Sequence, residues 1–157
     1  MSATTTATAT STHPPKTIRT AHTLWLTAIA AGAFETVLAI TRMTADGTGS
    51  AGEIGIGLAV RLTVFAAAAL IARRMRAGAR WARITLALGL GVLGTASMAV
   101  QPLGYLLDGG SLSAAAARAG ALDWLFGASR AVHVAAVLTA VALMFRPASN
   151  AWFRRTA

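Results

Sequence analysis

No cysteine occurs in this chain, which excludes disulfides, thiol nucleophiles, thiolate zinc sites and iron–sulfur clusters. The same absence leaves the redox compartment unread. Charge is also scarce. Only 12% of the 157 residues are charged, where a soluble domain carries about 25%. Negative charge is scarcest, with five Asp and Glu against fourteen Lys and Arg. With 55% apolar residues, the deficit points to a chain whose solvent is mostly hydrocarbon, and the length fits one compact domain. The basic excess does not read as a nucleic-acid footprint. It clusters at the ends of apolar runs, where it reports membrane orientation.

Four apolar runs organise the sequence, at about 22–40, 54–72, 81–100 and 124–145. Each is close to the ~20 residues that a helix rising 1.5 Å per residue needs to cross a ~30 Å hydrocarbon core. Helices are required because hydrocarbon offers no partner to an open backbone. Residues 1–20, rich in Thr, Ala and Ser with Pro14-Pro15, show no apolar periodicity and read as a disordered cytoplasmic tail. The apolar run after them is too long for a signal-peptide core. Ser50-Ala-Gly-Glu53 has the pattern of a capping box opening the second helix. Pro102 and Gly104 are expected to end the third helix, Ser113 to Ala121 to form a short interfacial helix, and Asp123 to cap the fourth. Residues 21–146 thus form the transmembrane domain, and 147–157 a short basic cytoplasmic tail.

Orientation follows from the basic residues of short connections. Lys16 and Arg19, the turn from Arg73 to Arg83, and Arg146, Arg154 and Arg155 lie at one end, and only Arg42 and Arg118 at the other. The tail, the basic turn and the C-terminus are therefore expected in the cytoplasm. Trp25, Trp81, Trp124 and Trp152 fall near the expected interfaces, where amphipathic rings anchor.

Gly89-Leu-Gly91-Val-Leu-Gly94 matches the dinucleotide-binding pattern. That motif needs a preceding strand and a helix N-terminus facing the pyrophosphate. Here the glycines lie inside an apolar run, so the reading is close helix packing through small residues, with Gly91 and Thr95 four apart.

The chemistry-bearing residues are Glu35 in the first run, Arg61 in the second, and Arg130 and His133 in the fourth. A lone charge near mid-bilayer costs ~2.5–3.5 kcal/mol, so such groups face the bundle interior and pair. Counting from the run ends puts Glu35, Arg61 and Arg130 at about one level in the outer half, with His133 one turn deeper than Arg130. Glu35 pairs most simply with Arg61 on the next helix. A second arginine is then left free to hold an anionic ligand. The competing reading is structural: a pair that fixes helix register, arginines that snorkel, and His133 bonded to a neighbouring helix. His22 lies far from His133 in depth, so two-histidine haem ligation is not expected. No spacing ties Ser97 or Ser129 to a base, and the outer acids Asp46, Glu53, Asp108 and Asp123 are scattered. Neither a catalytic constellation, nor a metal site, nor a cofactor is expected.

The segments Arg80-Trp-Ala-Arg-Ile84 and Phe145-Arg-Pro-Ala-Ser-Asn-Ala-Trp-Phe153 resemble a group of small four-span integral membrane proteins of GC-rich bacteria, in layout over residues 20–155. The resemblance implies architecture and carries no active site. The expected fold class is all-α: an antiparallel four-helix bundle, multi-pass in a bacterial plasma membrane, with both termini cytoplasmic. The expected role is non-enzymatic, as an accessory or assembly subunit or a small oligomer. The expected partners are the lipid bilayer and further copies or a larger membrane complex, and not nucleic acid. The alternative is a binder or carrier of a small amphiphilic anion through Glu35, Arg61, Arg130 and His133. A weaker alternative is a lipid- or quinone-directed enzyme with His133 as acid–base.

Overall fold

A computed structural model describes residues 13–155. Every element among them is a helix: α1 (Lys16–Ala45), α2 (Ala51–Arg76), α3 (Arg80–Leu107), α4 (Leu112–Arg118), α5 (Ala121–Met144) and α6 (Pro147–Arg155). Four of them, α1, α2, α3 and α5, are long and apolar enough to cross a membrane.

The helices outrun the apolar stretches that announce them, because a helix stops at a backbone signal rather than where hydrophobicity fades. Pro15 sets the start of α1, its carbonyl accepting the N–H groups of Ile18 and Arg19. Residues 16–20, expected in the tail, are therefore the first turns of α1, and 1–12 lie outside the described residues. At the far end Gly47 takes φ +63°, and Thr48 N–H closes on the Met43 carbonyl. Gly78, at φ +97°, ends α2 in the same way, with Ala79 N–H on the Arg74 carbonyl. In both places a left-handed glycine satisfies the last carbonyls.

Other local expectations divide. The capping box is present: Ser50 Oγ accepts Glu53 N–H, and the Glu53 carboxylate accepts Ser50 N–H at 2.7 Å. Asp123 is not the cap of α5. Gly120 holds that position, and the Asp123 carboxylate accepts its N–H from the third helical residue. Pro102 does not end α3, which continues to Leu107. A proline deprives the carbonyl four residues back of a donor but need not stop a helix that nothing else obstructs. Within α3, Leu86–Gly94 widens into a π-helical segment containing all three glycines of the dinucleotide-like pattern. Gly91 is buried there, and a Cβ on it would stand 3.0 Å from Val141 Cγ2. Close packing is thus what this glycine provides.

Burial concentrates at one end. Ile18, Ala21, Trp25, Ala72, Met75, Leu86, Ala140 and Met144 form a core closed by Trp152 and Phe153 of α6. The C-terminal segment is consequently a packed helix rather than a loose tail. Arg80 Nε donates to the Phe153 carbonyl at 2.8 Å. Arg83 donates to Asn150 Oδ1 at 2.6 Å and lies 4.7 and 4.6 Å from the ring centres of Phe145 and Phe153. Two tryptophans read as interface anchors belong to this core instead. Trp25 is 1% exposed and donates to Met144 Sδ, and Trp152 is buried, whereas Trp81 and Trp124 are exposed. At the other end the packing thins, and no residue from Thr95 to Leu107 is buried.

Arg83→Gln removes both ring contacts and is expected to lower stability by about 2 kcal/mol. It is also expected to speed limited proteolysis between Phe145 and Arg155. An unchanged cleavage rate would show that α6 is held by its apolar face alone.

Candidate functional site

The residues that hydrocarbon should disfavour come together in the thinly packed half. Glu35 on α1 is 7% exposed and sits beside Thr36, whose hydroxyl is tied to the Gly32 carbonyl of its own helix. Its ion-pair partner is Arg130 on α5, with Nε 3.8 Å from Oε2, and not Arg61 as the sequence suggested. Helix contact decides this. α1 runs closely against α5 along its length: Trp25 meets Met144, Ser129 donates to the Ala31 carbonyl, and Arg42 donates to Asp123 at 2.6 Å. A guanidinium on α5 therefore reaches Glu35 first. Arg130 also rests 5.0 Å from the centre of the Phe126 ring, one turn earlier on its own helix.

Arg61 makes no ion pair with any described residue. Its Nη1 donates to the Gly57 carbonyl one turn back, and a Cβ on Gly57 would stand 3.2 Å from that nitrogen. His133 lies near the backbone of Ala28 on the neighbouring helix α1.

These four residues line one cavity of about 380 Å³ between α1, α2, α3 and α5. Its walls include Phe65 and Phe126, one turn from Arg61 and Arg130 respectively, and Ser97 and Met98 of α3. The sequence signal for Phe65 and Phe126 was their four-residue spacing from an arginine. In the sequence Ser97 is set aside because no spacing ties it to a base, and α3 carries no charge at that level to mark it as a neighbour of the cluster. The π-helical segment of α3 reaches the cavity through Leu90 and Gly94, as such segments often do at ligand sites. A second cavity of about 580 Å³ shares Ala39, Phe126 and Arg130 with the first and continues to Arg42, Asp46 and Asp123 at the ends of α1 and α5.

Chemically the first cavity holds two guanidiniums and one carboxylate, leaving one positive charge in excess. It also holds acceptors without donors, since Glu35 Oε1 and His133 Nδ1 are buried and unpaired. Buried polar atoms of this kind are rare and costly. The cavity therefore suits a group that brings both a negative oxygen and a hydrogen-bond donor. No group of His, Asp and Glu among the described residues has the arrangement of a metal site. Comparison with known protein families, with curated proteins and with solved structures gives no match, so the site stands on its own geometry.

Arg130→Leu strands the Glu35 carboxylate and is expected to destabilise the protein by about 3 kcal/mol. Adding Glu35→Gln should recover most of that loss. Strictly additive effects in detergent unfolding would disprove the coupling.

Proposed function

We propose that the chain is an integral membrane protein that binds, and in doing so carries or retains, a small amphiphilic anion between its helices. Its four long helices form an antiparallel bundle, multi-pass in a bacterial plasma membrane, with both termini in the cytoplasm. The apolar length of the helices supports the spanning. The contacts Trp25–Met144 and Arg42–Asp123, which climb one helix while descending the other, support the antiparallel sense. The concentration of basic residues around Arg73 to Arg83 and the C-terminus supports the orientation.

One observation carries the ligand reading: Glu35, Arg61, Arg130 and His133 face one cavity, and Arg61 has no anion to balance it. A purely structural cluster would close on itself. This one stays open, with Arg61 exposed on its lining and apolar side chains along its walls. Arg61 and Arg130 hold the anionic head, Phe65, Phe126 and Met98 contact the chain, and Glu35 Oε1 or His133 Nδ1 accepts a ligand proton donor. The adjoining cavity gives the head a polar route to the outer face.

Dodecanoate and dodecyl phosphate are suitable probes, with dodecanol as the neutral control. In lipid nanodiscs both anions are expected to raise the midpoint of thermal unfolding of the wild type, and dodecanol not. Arg61→Leu is expected to remove the shift without affecting insertion. Equal shifts in wild type and Arg61→Leu would refute the assignment.

A specific observation favours a second reading. The stretch Thr95–Leu107 of α3 has no fully buried residue, and Val100, Leu103 and Leu107 are exposed. That suits an accessory subunit or a small homo-oligomer whose partner packs there. Gentle-detergent mass analysis is then expected to give a complex, and a strict monomer counts against this reading.

A further inference from the structure

We propose that the opposite end of the bundle carries a separate anion site, a cleft between α1 and α2 that seats the phosphodiester head of an acidic membrane phospholipid. The inference rests on the membrane reading above but not on the cavity at Glu35.

The cleft has a volume of about 540 Å³. Arg73 and Arg76 of α2 and His22 of α1 form its charged end, and Leu26, Ala66 and Leu70 its apolar wall. On α2 the order is informative. Ala66, Ala69, Leu70 and Arg73 follow at the spacings of one helical face, so that face is alkyl toward the middle of the helix and cationic at its end. A phospholipid has the same polarity, with acyl chain inward and phosphate at the boundary. A free phosphate has no use for the alkyl wall.

Two further facts point to an outside anion. His22 Nε2 is buried and has no hydrogen-bond partner in the protein. It lines the same cleft as both guanidiniums. No carboxylate among the described residues answers them. The Asp and Glu residues of the chain are Glu35, Asp46, Glu53, Asp108 and Asp123, and among the described residues the ion pairs engage only Arg42 and Arg130. Arginine forks match phosphate oxygens in pairs, and basic pockets between membrane helices on the cytoplasmic side suit acidic headgroups.

The test is native mass spectrometry of the full-length protein, delipidated and then offered phosphatidylglycerol or phosphatidylcholine of matched chains. The wild type is expected to retain phosphatidylglycerol preferentially. Arg73→Gln with Arg76→Gln is expected to weaken that retention roughly thirtyfold, with phosphatidylcholine unaffected. Both side chains are exposed, so the fold should tolerate the change. Arg73→Lys with Arg76→Lys should keep most of the binding. Arg154→Gln with Arg155→Gln, which removes equal charge from α6, should keep all of it. Equal loss from the α6 pair would reduce the effect to diffuse surface charge and overturn the site. Displacement of the lipid by inorganic phosphate at matched concentration would overturn the lipid assignment. Alkaline extraction of the wild type reads insertion alone, and so separates a failure of the membrane reading from a failure of this one.

Discussion

A carboxylate almost sealed from solvent must find a cation, and the Glu35–Arg130 pair is the constraint around which this protein is arranged. It fixes the register of α1 against α5. The Ser129 bond to the Ala31 carbonyl lies on one side of it along the same seam, and the Arg42 bond to Asp123 on the other. The separation of 3.8 Å matters as much as the pairing. It is too long for a hydrogen bond, so the pair neutralises charge while leaving Glu35 Oε1 and Arg130 Nε without hydrogen bonds. The protein has satisfied Coulomb's law there and left the hydrogen-bonding capacity unfilled.

That incompleteness is possible because the two halves are packed differently. At the basic end small residues let the helices touch, and four large side chains, Trp25, Met144, Trp152 and Phe153, fill what remains. Arg83 then clamps α6 over the opening through two aromatic rings. Toward the other end α3 widens into its π-helical segment and loses contact with its neighbours beyond it. On the proposed reading the cavity admits a ligand, which needs a rigid floor and a loose wall. The closed end supplies the floor, and the far half of α3 supplies the wall.

The legible part of the fold was what one residue type can state alone. Four apolar runs gave four long helices, Ser50 and Glu53 gave their cap, and the four ionisable residues inside the runs proved to line one cavity. What stayed hidden depended on which helix touches which. Arg61 and Arg130 are equally plausible partners for Glu35 by depth. Only the α1–α5 contact chooses between them, and no periodicity in either helix encodes it. Trp25 and Trp152 failed for a related reason. An indole near a helix end suits either an interface or a core, and the presence of α6 decides for the core. The helix limits were short because hydropathy ends before the backbone does: Arg73 to Arg76 still wind as helix although no apolar count includes them.

The distribution of charge ties the two proposed sites together. Every Asp and Glu in the chain lies at Glu35 or beyond it toward one end, and the opposite end is basic, with no ion pair there among the described residues. A protein in water would draw that balance from salt. A protein in a bilayer meets acidic headgroups first, at the same depth as its own arginines, so the lipid becomes part of the structure's electrostatics. The outer cavity follows the opposite logic. There a carboxylate is supplied, but one guanidinium more than it can neutralise is supplied with it in the same cavity. On the proposed reading the missing anion is a single ligand held between the helices, which is what would distinguish a binding site from a buried salt bridge.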